Sequence, residues 1–283
     1  MPGHADFSAL SGKVALVTGA SRGIGRAVAR RLAAHGVKVV VTASERSARG
    51  LDEARSLIEH SGGQAHTVVA DLSDPEQRDR LMMRASGAFG PIDILVNNAA
   101  GIPRYAPPST MPRADRRALF ELNFHAPVDL IQQALPAMRD RRWGRVVNIS
   151  SEMAQQPGIP YPGPAKMVHA LALYGAAKAA LERYSEGLAA ELHGSGVCVN
   201  TLAPTKIAMT ESAAAVARQM AEQRPEWVEP TEMMAEAVAQ LCRASLTGLR
   251  TGSRELLHLL QQPLLALDGS TVIGNALTLV DID

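Results

Sequence analysis

KVALVTGASRGIGRAVARRLAAHG, Lys13 to Gly36, decides the reading of this 283-residue chain. Its first half is a short β-branched run that ends in Gly19. Its second half keeps helical spacing and stops at Gly36. Between them stand Gly19, Gly23 and Gly25. Such glycines let the chain turn tightly and bring backbone amides and a helix N-terminus close to a pyrophosphate. A glycine pattern of this kind is a weak signal alone; between a strand and a helix it has its required context.

Working outward, the same alternation continues. Strand-like runs lie at 37–44, 65–71, 93–99, 145–150 and 197–203, with a further one at 246–252. Helical patterns lie between them near 50–60, 75–88, 113–140, up to His193, and 231–244. Buried β-branched strands alternating with amphipathic helices predict a parallel sheet covered on both faces. Neither a fixed-period repeat nor a low-complexity linker appears. One Rossmann-type domain follows, a doubly wound parallel sheet of about seven strands over residues 10–253. Residues 254–283 form a C-terminal extension.

Composition excludes several function classes. The chain is 46% apolar and 20% charged, with a formal net charge of +1, so nothing calls for nucleic acid or an anionic membrane. The basic run Arg139, Arg141, Arg142 and Arg145 reads as a solvated helix end. Cys198 and Cys242 fit neither a disulfide framework nor a metal site, and the eight histidines form no ligand pairs. His169 reads as a packed or solvent-facing helix residue. No metal is expected. No apolar run is long enough to span a bilayer, and a reducing cytoplasm is the expected location.

The tip of the second strand chooses between the two nicotinamide dinucleotides. A carboxylate there would bind ribose hydroxyls and repel a 2′-phosphate. Here the tip reads Ala43-Ser44-Glu45-Arg46. Ser44, Arg46 and Arg22 offer donors and cations to a phosphate, provided Glu45 points outward. The expected cofactor is NADPH/NADP+.

Two tyrosine–lysine pairs compete for the chemistry in YPGPAKMVHALALYGAAK (161–178). Tyr174 and Lys178 stand four apart in a helical run with Leu181, Tyr184, Leu188 and Leu192, so they share a face. There an ammonium stabilises a tyrosinate and lowers a phenol pKa of ~10, making it a usable general acid. Tyr161 and Lys166 are five apart, with Pro162, Gly163 and Pro164 between them. Tyr174 is the expected acid.

TGASRGIG, NNA, an asparagine in a long helix, NISS and YxxxK, in that order, resemble the short-chain dehydrogenase/reductase family. The nearest look is to NADPH-dependent 3-oxoacyl-acyl-carrier-protein reductases and related ketone reductases. The resemblance implies a catalytic set of Asn123, Ser151, Tyr174 and Lys178, with Ser150 as the less favoured serine. Ser151 would hydrogen-bond the substrate carbonyl, and Asn123 would hold a water in a proton relay. It also implies cofactor contacts from Gly19, Ser21, Arg22, Gly23, Ile24, Gly25, Ser44, Arg46, Asp71, Leu72, Asn98, Tyr174, Lys178 and Pro204. Singly, Asp71 also suits a turn cap, Asn123 a bond to a helix neighbour and Ser151 a strand-end hydroxyl. The implied partners are a small carbonyl substrate and further copies of the chain, in a homodimer or homotetramer built through helices near 113–140 and 174–193. The rival readings are an NAD-dependent alcohol dehydrogenase and a non-catalytic dinucleotide sensor.

Four departures stand out from that family. The Ser151–Tyr174 gap is long, and Pro157 to His169 reads as an insertion that shapes substrate choice or makes a passive excursion. Thr205 follows Pro204 where glycine is usual, and would narrow the nicotinamide pocket or add a hydroxyl. Ala100 precedes Gly101. Finally, either LTGLRTGS (246–253) or LDGS (267–270) closes the sheet. Lys206 to about Pro230, rich in Ala, Met and Gln, reads as a lid for an apolar ligand.

Overall fold

The structure is a computed structural model that describes residues 6–155, 165–211 and 213–278. In chain order its elements are β1 (Val14–Thr18), α1 (Gly23–Ala34), β2 (Lys38–Ala43), α2 (Ala48–His60), β3 (Gln64–Val69), α3 (Pro75–Phe89) and β4 (Ile94–Asn97). Then follow α4 (Arg113–Phe120), α5 (Ala126–Asp140), β5 (Gly144–Ile149), α6 (Ala165–Glu191) and β6 (Val197–Ala203). The last third holds β7 (Ile207–Ala208), α7 (Ala214–Gln223), β8 (Val228–Glu229), α8 (Thr231–Arg243), β9 (Arg250–Gly252), α9 (Ser253–Leu259), β10 (Pro263–Leu265) and β11 (Val272–Asn275).

Seven strands form one parallel sheet in the order β3-β2-β1-β4-β5-β6-β9. All five residues of β1 are buried, because helices cover both faces of the sheet. Ala15 and Val17 join α1 and α8 in one core, whereas Val14 and Leu16 join α3, α5 and α6 in the other. This is the period-two alternation of a strand between two layers. The order reverses between β1 and β4, which opens a crevice at their carboxyl ends.

Three features differ from the sequence expectation. The helix expected over 113–140 is interrupted at Glu121–His125 by a π turn, a local widening often found at functional sites. Arg145 is no part of a solvated helix end. It is buried and donates to the carbonyls of Cys242 and Gly196, with its guanidinium 4.6 Å from the centre of the Trp143 ring. Arg141 likewise turns to Asp93 at 3.0 Å, which anchors the end of α5 to the start of β4.

Of the two candidate closures, Arg250–Gly252 is the final strand of the main sheet. LDGS instead lies in the turn between β10 and β11, an antiparallel pair outside the main sheet. The chain after β9 puts Leu256, Leu257, Leu264 and Ala276 into the α1–α8 core. None of the described residues after Gly252 lines the crevice.

Candidate active site

The crevice is a cleft of about 440 Å³ at the carboxyl ends of the strands. One wall is the loop from β1 into α1. Gly19 has φ +63°, a left-handed conformation, and a Cβ there would stand 2.9 Å from the Ala99 Cα. A Cβ on Gly25 would come within 2.4 Å of the Gly19 carbonyl oxygen and 2.5 Å of the Asn98 side chain. Only glycine permits this close approach. Asn98 holds the loop shut, its amide donating to the carbonyls of Thr18 and Gly19 at 2.9 and 3.1 Å. Thr18 Oγ1 in turn accepts from the backbone N–H of Asn98 and Ala99, both at 3.0 Å.

Most of the expected residues line the cleft: Gly19, Ser21, Arg22, Gly23, Ile24, Ser44, Asp71, Leu72, Asn98, Ser151, Tyr174, Lys178 and Pro204. Gly25, Arg46 and Asn123 do not line it. Gly25 packs behind the loop. Arg46 and Glu45 are exposed on the turn after β2, so Glu45 points outward as expected, and Ser47 lines the cleft beside Ser44. Asp71 is the one carboxylate among the described lining residues. Its side chain also accepts from Ser73 N at 2.9 Å, a turn cap as well as a wall.

Two residues that tie down the cleft walls were not singled out from sequence. Arg78, buried, donates to the Leu72 carbonyl at 2.7 Å and pairs with Glu121 and Asp129 at 2.8 and 2.7 Å. It thereby ties the cleft wall to the π turn. Glu211, in the segment read as a lid, accepts from Gly23 N at 2.9 Å and pairs with Arg26 at 3.5 Å. No local pattern marks either residue, since each partner is distant in sequence.

At the other end of the cleft, α6 brings Tyr174 and Lys178 beneath the end of β5. Lys178 is wholly buried, donates to the Ile149 carbonyl at 2.8 Å and lies 5.8 Å from the centre of the Tyr174 ring. Burial pulls its pKa down to about 8 against the opposing pull of Glu182. Burial also pushes the Tyr174 phenol up to about 12, although a hydrogen bond with Ser151 draws it down. This differs from the lowered phenol expected from an adjacent ammonium. The Lys178 ammonium is turned to a backbone carbonyl, so desolvation outweighs it.

The two serines separate by their bonds. Ser150 Oγ donates to Glu182 at 2.6 Å, while Ser151 Oγ accepts from Met153 N at 3.2 Å and meets the Tyr174 hydroxyl. Asn123, fully buried in the π turn, donates to the carbonyls of Gly101 and Leu119, both at 2.8 Å, and accepts from Gly101 N at 3.3 Å. Its amide therefore clamps the loop after β4 and bonds a helix neighbour, leaving little to grip a water. At that displaced glycine, Gly101, a Cβ would lie 2.9 Å from the end of the Leu122 side chain. Thr205 does not line the cleft; its N–H is directed at Glu229 at 3.4 Å. The insertion and Tyr161 lie outside the described residues, apart from the end of the segment, where His169 is an exposed residue of α6.

A parallel sheet with a glycine-walled cleft at its switch point defines a Rossmann-type α/β protein. The family model described as short chain dehydrogenase matches residues 13–221. The chain belongs to the short chain dehydrogenase family. It is 35% identical over 251 residues to gluconate 5-dehydrogenase of Gluconobacter oxydans, covering 86% of this chain and 92% of that one. It is 38% identical over 208 residues to a 3-oxoacyl-(acyl-carrier-protein) reductase of Synechocystis, covering 73% and 79%. Among solved structures it resembles a 3-oxoacyl (acyl-carrier-protein) reductase from Agrobacterium tumefaciens C58 with NADP bound. There the TM-score is 0.73 at 32% identity, with 87% and 94% of the two chains covered.

Proposed function

We propose that the protein reduces a ketone, of the 3-oxoacyl or a related apolar class, at the expense of NADPH. The observation that carries this reading is the convergence of Ser151 and Tyr174 in one cleft, with Lys178 buried beneath them. Ser151 donates a hydrogen bond to the substrate oxygen. Tyr174, held protonated far above neutral pH, delivers its proton to that oxygen as negative charge develops there. Lys178 binds the nicotinamide ribose and provides positive charge close to the phenol. Asn123 keeps the Gly101 loop in place. A bound NADPH supplies the reducing equivalent to the carbonyl carbon.

The donor set suits that dinucleotide. Ser21, Arg22, Ser44 and Ser47 line the cleft with the tip of β2, and among the described residues the one lining carboxylate, Asp71, follows β3 and not β2. Ala43→Asp places one at that tip. The variant is expected to shift the ratio of NADPH to NADH affinity at least about tenfold towards NADH. Fluorescence titration of both cofactors checks this, and an unchanged ratio means that the 2′-phosphate is read elsewhere.

The decisive experiment follows NADPH consumption with simple ketones, 3-oxoacyl thioesters and 5-oxogluconate. Turnover of the first two supports the reading; turnover of the sugar acid alone redirects the substrate class. Binding without any turnover would favour a sensor. We infer a cytoplasmic homo-oligomer assembled through α4, α5 and α6. Two buried free cysteines agree with a reducing location, and no described helix is long and apolar enough to cross a membrane.

A further inference from the structure

Glu182 follows Tyr174 and Lys178 on α6 at the same four-residue spacing, so all three form one stripe down the helix. It is a carboxylate that is only 6% exposed, among partners drawn from three other segments. Ser150, at the end of β5, donates its hydroxyl to Oε1 at 2.6 Å. Gln155, in the turn after Ser151, donates to Oε2 at 3.0 Å. Arg250, on the last strand of the sheet, approaches Oε2 at 3.5 Å. A buried carboxylate is costly unless it is paired and hydrogen-bonded, and here both oxygens are engaged.

We propose that Glu182 is a positioning residue for the active site: its carboxylate gathers Ser150, Gln155 and Arg250 at the foot of the cleft and sets a negative charge one helical turn beyond Lys178. This deepens the reductase reading and rests on it for the meaning of that charge. Because Glu182 takes the Ser150 hydroxyl, Ser151 is left as the serine that faces Tyr174. Because it also holds Gln155, the turn that carries Ser151 is tied to α6 on both sides.

Its second action is electrostatic. Lys178 is buried and its pKa falls to about 8 through desolvation, with Glu182 opposing the fall. The groups around it are Tyr174 and Glu182 on its own helix, the Ile149 carbonyl from β5, and Arg250 behind Glu182. Glu152, beyond Ser151, is engaged with Lys206 at 2.7 Å. Removing the Glu182 charge therefore lets Lys178 lose its proton at lower pH. A fall of one unit from about 8 would cut the ammonium fraction at pH 8 about fivefold.

The test reads Lys178 directly. The chain has five lysines, so full-length protein carrying 13C at the lysine ε position gives few resonances, and Lys178→Arg identifies the one required. In Glu182→Gln, which keeps the shape and loses the charge, its midpoint is expected to move to lower pH. The alkaline limb of kcat/KM for ketone reduction should move with it, so activity falls several-fold more at pH 8 than at pH 6. Ser150→Ala, which removes a partner without the charge, should leave the midpoint in place. An unmoved midpoint in Glu182→Gln would overturn the proposal, whether or not activity is lost. Should that variant not fold, Arg250→Gln removes the opposing cation from the half-exposed side, and the midpoint should rise; no change there would equally refute the coupling. The NMR titration needs no substrate, so it reads the Glu182–Lys178 coupling even if the reductase reading fails.

Discussion

Tyr174→Phe is expected to lower kcat/KM for ketone reduction by about 10²–10⁴-fold, while the protein folds and binds NADPH as before. The substitution removes only the hydroxyl, so the ring that packs in the cleft wall above Lys178 stays. What is lost is a proton donor that burial keeps protonated, with its pKa at about 12, and that shares a hydrogen bond with Ser151. Tyr161→Phe, measured beside it, should turn over like the parent. In the sequence Tyr161 is followed by Pro162, Gly163 and Pro164, and its lysine stands five residues on instead of four. Steady-state NADPH oxidation with the best ketone checks both variants. A dead Tyr161→Phe, or a Tyr174→Phe that retains most of its activity, would transfer the acid role elsewhere.

Glu236→Ala should destabilise the fold by about 3–5 kcal/mol, the cost of leaving a buried charge alone. Arg31 on α1 and Glu236 on α8 form an ion pair with each side chain only 1% exposed. Gln240 donates to the same carboxylate at 2.8 Å, and Arg31 reaches the Ala266 carbonyl of the C-terminal hairpin at 3.5 Å. For a chain of this size the melting temperature should fall by roughly 10 °C. Circular dichroism melts read this directly. Pairing the change with Arg31→Met should recover much of the loss, because two apolar side chains need no partner. A single variant that melts with the parent would mean that water reaches Arg31. Neither residue lines the cleft, so turnover well below the transition should persist.

The residues behind these two expectations differ in how visible they are in the chain. Tyr174 and Lys178 announce themselves at a spacing of four, because one helical turn brings them to one face whatever surrounds the helix. The same is true of β1, whose β-branched run before Gly19 admits a buried strand and little else, and of the glycine-bearing turn into α1. The strand alternation that names the parallel sheet is also a local property. In all these cases the pattern repeats at the period of the element that carries it.

Arg145, Arg31 and Glu236 were not legible in this way. A charged residue in a sequence reads as solvated, and only the partner brought by a distant segment makes burial tolerable. Arg145 finds the carbonyls of Cys242 and Gly196, and Arg31 finds Glu236 across 205 positions of chain. Asn123 shows a subtler case, since its place in a helix was evident but the π turn that aims it at Gly101 was not. One extra residue in a turn leaves the apolar periodicity almost unchanged.

By itself, then, the sequence determined the strand–helix alternation that implies a doubly wound sheet, the glycine loop and the tyrosine–lysine stripe, because each is a pattern carried within a few residues. Only the tertiary structure decided that Ser150 belongs to Glu182, that the Tyr174 phenol rises rather than falls, and that the C-terminal hairpin packs behind α1 instead of over the cleft. Those outcomes depend on desolvation and on pairings between far-separated segments. Both quantities exist only once the chain has closed on itself.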